Sequence, residues 1–235
     1  MRIKSEKVSD RFCVSVLLLI GSFASQLFAA EANVNSVCIF DVDNTLTHAE
    51  NANSTHCPNT QFINNPPPGF PENGGTTDWV LGAINKCKDL GYGLAIATAE
   101  SGAQSGTGGV PNATQHTFLS SLATEFDKDF FASPAFQTSC KVVTSKNEDG
   151  ANWCIDKEFP RKEAMIIAIM NFFKIPPDEW QNSIMFDDQL ENLTAANALH
   201  LKTVQSSPGC AGAYCDKGCG ITETGLDAIV ELTGQ

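Results

Sequence analysis

The stretch VCIFDVDNTLT, residues 37–47, combines an apolar run with two aspartates at its carboxyl end. Side chains along a strand alternate in direction, so residues two apart point the same way. Asp41 and Asp43 are therefore expected to face one spot, with Val42 between them pointing elsewhere. Two carboxylates at one spot repel each other unless something cationic lies near them. The stretch thus predicts a buried strand that ends at a charged site.

Strand-like and helix-like segments alternate along the rest of the chain, which is typical of an α/β domain with a parallel sheet. Strands are predicted at 37–41, 92–98, 183–188 and 201–205, and helices at 77–90, 114–126, 160–174, 190–200 and 221–234. Two stretches interrupt this pattern. The Pro/Asn-rich loop 48–76 is interpreted either as a substrate-facing flap or as a disordered excursion, and the Cys-containing insert 138–160 is predicted to be irregular.

The N-terminus has the order of a secretory signal peptide: a basic start, an apolar run, and small residues near Ala30-Glu31-Ala32. An uncleaved anchor is the alternative, although the apolar run is shorter than the roughly 20 residues that a membrane span needs. We therefore predict a signal peptide at 1–30, with cleavage as late as residue 32, and a single mature domain at 33–235. The expected location is secreted or periplasmic, with no membrane span after signal removal.

Charge and cysteine content restrict the partners and the compartment. The net charge is −12, and removing residues 1–30, whose balance is +2, makes it −14, which argues against binding to a nucleic-acid backbone. Eight cysteines remain, an even number that is typical of disulfides in an oxidising compartment. Cys38 is either disulfide-bonded or a buried free thiol. Zinc binding by Cys210, Cys215 and Cys219 is less favoured than disulfides, because a fourth ligand is missing from that cluster.

Polar side chains follow three predicted strands at their carboxyl ends. Thr98 follows LAIA, Asp187 and Asp188 follow SIMF, and Lys162 begins the helix before the last of these strands. Ligands gather at the carboxyl ends of parallel strands, so these groups are expected to converge with the first two aspartates. Four acids in one crevice need a counterion, and a hard divalent cation, typically Mg²⁺, binds oxygen ligands. The predicted metal site consists of Asp41, Asp43, Asp187 and Asp188.

This set of residues resembles the phosphatase branch of the haloacid dehalogenase (HAD) superfamily. The resemblance depends on DVDNTLT at 41–47, Thr98, Lys162 and DDQLEN at 187–192, in that order, and it spans most of the mature chain. It implies a Rossmann-like three-layer α/β sandwich with a central parallel sheet and a small cap or none. The implied activity is Mg²⁺-dependent hydrolysis of a phosphomonoester.

The resemblance also implies a role for each motif residue. Asp41 would attack phosphorus and form an aspartyl-phosphate. Asp43 would protonate the leaving oxygen and then activate water, and its backbone carbonyl would reach the metal. Thr98 would donate a hydrogen bond to a phosphoryl oxygen.

The later motifs are expected to supply counter-charge and metal ligands. Lys162 would neutralise charge on the phosphoryl group, with the neighbouring Arg161 as the alternative. Asp188 would complete the Mg²⁺ site, with Asp187 either beside it or behind it. Asn192 would orient ligands or water.

Residue types at the first motif also discriminate between activities. Asp43 favours phosphoryl chemistry over attack on carbon, and Val42 excludes the P-type ATPase pattern, which has lysine there. The partner is expected to be a phosphorylated small molecule or an exposed phosphate on a macromolecule, since neither the loop 48–76 nor the segment 99–160 looks like a full cap domain. A phosphotransferase or mutase, and a secreted binding module without turnover, remain open as alternatives.

Overall fold

The structure is a computed structural model that describes residues 34–49, 51–63, 73–98, 121–138, 140–146, 152–157, 162–208 and 217–234. All of them belong to one unit of the chain, Val34–Gln235. The signal peptide predicted at 1–30 and most of the helix predicted at 114–126 lie outside the described residues. Within these ranges, no helix combines the length and the apolar character that crossing a membrane requires.

Strands and helices alternate through most of the described residues. The strands are β1 (Val37–Phe40), β2 (His48–Ala49), β3 (Phe62–Ile63), β4 (Asn73–Thr77), β5 (Gly93–Thr98), β6 (Phe136–Thr138), β7 (Cys140–Lys146), β8 (Asn152–Lys157), β9 (Ile184–Asp187) and β10 (Lys202–Gln205). The helices are α1 (Asp78–Asp89), α2 (Lys128–Ala132), α3 (Lys162–Phe172), α4 (Leu190–Ala198) and α5 (Glu223–Thr233). A π-helical turn at Val42–Leu46 follows β1, and a 3-10 helix at Pro177–Asn182 precedes β9.

Five strands form a parallel sheet in the order β10–β9–β1–β5–β6. The chain runs outward from β1 to β5 and β6, and then returns past β1 to form β9 and β10. The strand order therefore reverses between β1 and β9, and ligands of open α/β sheets bind at such a switch point. The sheet thus brings together the strand ends on which the first and last motifs lie.

Apolar side chains cover both faces of this sheet. One cluster places Phe40, Ile96 and Phe186 against α1 and α5. The other places Ile39 and Met185 against α3 and α4. Successive strand residues point to opposite faces, so each buried strand contributes to both clusters. The predicted three-layer α/β sandwich with a central parallel sheet is confirmed.

Both interruptions of the sequence pattern contain strands that we did not predict. The segment 48–76, predicted as a loop, includes β2, β4 and β3, which form a small antiparallel sheet in that order. The insert 138–160, predicted to be irregular, includes the antiparallel pair β7–β8. Of these strands, β2 and β3 have only two residues each, too few to show alternation, and the Asn, Pro and Gly around them indicated a loop.

Two disulfides connect the described cysteines Cys38 with Cys87 and Cys57 with Cys219. The first joins β1 to α1, so Cys38 is disulfide-bonded and is not a free thiol. The second engages one of the three clustered cysteines, so Cys219 is a disulfide partner and is not a zinc ligand. Cys210 and Cys215 lie outside the described residues.

Replacing both Cys38 and Cys87 by alanine is expected to lower the free energy of unfolding by about 2–4 kcal/mol, because the unfolded chain regains the entropy of an open loop. The measurement is urea denaturation of the variant beside the oxidised wild-type protein. An unchanged urea midpoint at an unchanged slope would contradict a stabilising role for this disulfide.

Candidate active site

Asp41 leaves β1 at the switch point and remains tied to the neighbouring strand. Its backbone N–H donates to the Phe186 carbonyl over 2.9 Å, which continues the β1–β9 pairing by one residue. The residue is buried, with 6% of its surface exposed. Asp41 and Asp187 therefore leave the sheet from adjacent strands.

Lys162, the first residue of α3, is buried against three strand ends. Its Nζ donates to Asp41 Oδ1 over 2.6 Å and also to the Ala97 carbonyl of β5. It lies 3.2 Å from Asp187 Oδ2, although that oxygen has no well-aligned hydrogen bond, so this contact is an ion pair only. The structure places Lys162 in the site, and the alternative Arg161 lies outside the described residues.

Asn192 holds the second oxygen of the Asp187 carboxylate. Asp187 Oδ1 accepts a hydrogen bond from Asn192 Nδ2 over 3.0 Å and another from the Gln189 backbone N–H over 2.9 Å. Asn192 is half-buried on the first turn of α4. In this structure Asn192 orients the carboxylate of Asp187.

Three buried carboxylates form a potential cation site. Asp41, Asp187 and Asp188 each offer an oxygen within 4.8 Å of the others. Asp188 Oδ1 is buried without a hydrogen-bond partner, which is unfavourable unless something else contacts it. Three carboxylates and one ammonium leave two negative charges, and a divalent cation would balance them. The donors are all oxygens, so the site fits Mg²⁺.

The ionisable groups of the site show the effect of burial and of this charge imbalance. Burial, and after it the negative charge of Asp187, raise the pKa of Asp188 to about 6. Burial also raises the pKa of Asp41 well above its usual value, while the Lys162 ammonium opposes that rise. For Lys162, burial lowers the pKa, but Asp41 and Asp187 outweigh it and raise the pKa. The site therefore favours an additional positive charge.

Asp43 and Thr98 lie on the elements next to this cluster. Asp43 is half-buried in the turn Val42–Leu46, and its carboxylate is not part of the three-acid cluster. Thr98 is buried at the end of β5, directly after Ala97, whose carbonyl binds Lys162. The predicted residues thus lie on one edge of the sheet, and the cation cluster within the described residues contains three of the four predicted acids.

Sequence reasoning missed a buried hydroxyl pair behind the cluster. Thr45 Oγ1 and Ser206 Oγ lie 2.6 Å apart, and both residues are fully buried. The Ser206 backbone N–H donates to the Asp187 carbonyl over 3.0 Å. The pair therefore links the turn after β1 to the end of β9. A Ser after a short strand has no pattern that could have indicated this contact.

Comparisons with known proteins give structural likenesses only. No family model and no curated protein matches the chain. A protein from Mesorhizobium loti described as a HAD-like phosphatase has a TM-score of 0.47 and 14% identity, covering 85% of this chain and 86% of its own. A predicted phosphatase from Clostridium acetobutylicum has a TM-score of 0.35 and 19% identity, covering 68% of this chain and 62% of its own.

The description of the first of these proteins names the superfamily that the sequence motifs resemble. Both identities are below 25% and both TM-scores are below 0.5. The likenesses therefore carry no argument about activity, and the assignment that follows depends on the geometry of the described residues.

Replacing Thr45 by valine is expected to destabilise the protein by about 1–3 kcal/mol, because Ser206 Oγ then loses its buried partner. Thr45→Ser keeps the hydroxyl and serves as the matched control. A double variant, Thr45→Val with Ser206→Ala, should lose less than the sum of the two single losses in urea denaturation. Additive losses would show that the two hydroxyls do not interact.

Proposed function

We propose that this chain is a Mg²⁺-dependent phosphomonoester hydrolase of the HAD type that acts through an aspartyl-phosphate on Asp41. The main observation that supports this proposal is the buried Lys162–Asp41 contact of 2.6 Å, which lies beside two further carboxylates at the switch point. A nucleophile next to a fixed cation suits a dianionic phosphate ester, because catalysis of phosphoryl transfer is mostly positioning and charge stabilisation.

The metal ligands in this proposal are the carboxylates of Asp41, Asp187 and Asp188. A bound Mg²⁺ would supply charge neutralisation for these acids and for the phosphoryl oxygens. The unpartnered Asp188 Oδ1 supports this assignment, since its burial is otherwise uncompensated.

Asp41 is held through one carboxylate oxygen, which accepts a hydrogen bond from the lysine ammonium. Lys162 Nζ engages Oδ1, so Oδ2 is the proposed nucleophile. Its attack forms a new O–P bond while the P–O bond to the leaving group breaks. Lys162 remains charged beside Asp41 and stabilises negative charge on the phosphoryl oxygens, and Thr98 donates a hydrogen bond to one of them.

Asp43 is the proposed general acid and base. Its protonated carboxyl gives a proton to the departing oxygen, which leaves as an alcohol. Its carboxylate then takes a proton from water, whose oxygen attacks the phosphorus of the aspartyl-phosphate. The P–O bond to Asp41 breaks, inorganic phosphate is released, and Asp43 is protonated again.

The substrate in this proposal is a phosphorylated small molecule or an exposed phosphate on a macromolecule. The described additions to the sandwich are the three-stranded sheet β2–β4–β3 and the pair β7–β8, both much smaller than a separate cap domain. The two disulfides support a secreted or periplasmic location, because disulfides persist in oxidising compartments.

Replacing Asp41 by asparagine is expected to lower kcat for an aryl phosphate at least about a thousandfold, since the amide is a poor nucleophile. The assay follows phenolate release with Mg²⁺ and, separately, with excess EDTA, which should also abolish turnover. Asp178→Asn, at an exposed carboxylate in the 3-10 helix, is the matched control. Full turnover by Asp41→Asn would refute the aspartyl-phosphate, and metal-independent turnover would refute the role of Mg²⁺.

Replacing Lys162 by methionine is expected to lower kcat/KM by about 100-fold or more, because a preorganised charge beside the nucleophile is lost. Arg161→Met changes the adjacent residue in the same way and should have little effect. The comparison uses the same aryl phosphate, with circular dichroism to confirm folding. A large loss of kcat/KM in Arg161→Met, with little loss in Lys162→Met, would assign the role to Arg161.

A further inference from the structure

The turn that carries Asp43 includes a residue in the left-handed backbone region. Asn44, the next residue, has φ of 55°. Among residues with a side chain, asparagine adopts this conformation more readily than most, and contacts with the surrounding chain fix it in place. The contacts that enforce it therefore determine where the proposed general acid lies.

Residues 217–221, here called the brace segment, make close contacts along this turn. The Ile221 backbone N–H donates to the Thr45 carbonyl over 3.1 Å. Gly218 lies so close to Asn44 that a Cβ there would be 2.5 Å from Asn44 Oδ1. A Cβ at Gly220, whose φ is +71°, would lie 3.0 Å from the Thr45 carbonyl oxygen. Glycines thus let the brace segment approach the turn directly.

The side chain of Ser207 connects the brace segment to the turn through two hydrogen bonds. Its Oγ donates to the Asn44 carbonyl and accepts from the Gly220 backbone N–H, each over 2.8 Å. The residue is buried, with 2% of its surface exposed. The carbonyl of the left-handed residue is therefore fixed by a hydroxyl that the brace segment itself orients.

A disulfide anchors the centre of the brace segment. Cys219 is bonded to Cys57, which is 1% exposed, and the Gly218 carbonyl accepts from the Ala49 backbone N–H over 2.7 Å. The brace segment is thus held covalently to the part of the chain that follows the catalytic turn.

We propose that the Cys57–Cys219 disulfide, through the brace segment, is a positioning element for the general acid Asp43. The inference rests on the function proposed above. Asp43 directly precedes Asn44, so a change in the turn redirects its carboxyl group, and small misplacements of catalytic groups are costly to rate. The disulfide is not a catalytic group; it acts through residues 217–221 on the turn.

Leaving-group chemistry provides a readout that a loss of stability would not produce. An alkyl phosphate needs proton transfer to its leaving oxygen, whereas 4-nitrophenyl phosphate releases a stable anion without it. Misplacement of Asp43 therefore slows the alkyl ester selectively. A smaller fraction of folded protein lowers both rates by the same factor.

The experiment compares kcat/KM for 4-nitrophenyl phosphate and for ethyl phosphate in the full mature protein with Mg²⁺. In Cys57→Ala with Cys219→Ala, the alkyl rate should fall at least about tenfold more than the aryl rate. Gly218→Ala disturbs the contact between the brace segment and Asn44 while the disulfide stays intact. It should show the same selective loss of the alkyl rate. The matched control, Cys38→Ala with Cys87→Ala, should be less stable but keep the wild-type ratio of the two rates.

Equal losses on both esters in an otherwise active protein would overturn this inference and leave the proposed function standing. If the Cys57/Cys219 variant does not fold, the ratio in Gly218→Ala decides the question. Absence of turnover by the wild-type protein on both esters would instead refute the proposed function itself.

Discussion

The buried ammonium of Lys162 is the interaction on which the site depends, because it connects the ends of three adjacent strands. It donates to Asp41 after β1 and to the Ala97 carbonyl in β5, and it forms an ion pair with Asp187 in β9. A buried charge that loses a partner is strongly destabilising, so these strand ends cannot move apart independently. One side chain therefore sets the spacing of Asp41, the proposed nucleophile, and Asp187, a proposed metal ligand.

The same cluster leaves the protein with unbalanced negative charge at the switch point. Lys162 offsets one of the three buried carboxylates, and Asp188 retains an oxygen without a hydrogen bond. Such a charge imbalance is unfavourable for the stability of the fold, and a bound cation would offset it, in line with the usual relation between stability and function at active sites. The sandwich supplies the rigid apolar layers that hold these acids together.

The sheet and its polar edge follow from the sequence because they depend on local patterns. Apolar strands ending in Asp41 and Asp187 are visible as short runs, and residues at the carboxyl ends of neighbouring parallel strands must converge. The small strands at 48–77 and the Thr45–Ser206 pair show no such pattern. The Cys57–Cys219 disulfide could not be predicted from the sequence either, because eight cysteines allow 105 pairings. These features arise from contacts between distant residues, and only the folded chain defines them.

The brace segment also has a consequence for the order in which the molecule is completed. Asp41 and Asp43, the proposed nucleophile and general acid, are synthesised before Cys57, and Cys219 follows this disulfide partner by 162 residues. Ser207, which binds the Asn44 carbonyl, follows Asn44 by 163 residues. A nascent chain that already contains both aspartates consequently lacks the groups that contact the turn at Val42–Leu46. The turn at Val42–Leu46 can acquire the contacts described here only after residues 207–221 have left the ribosome.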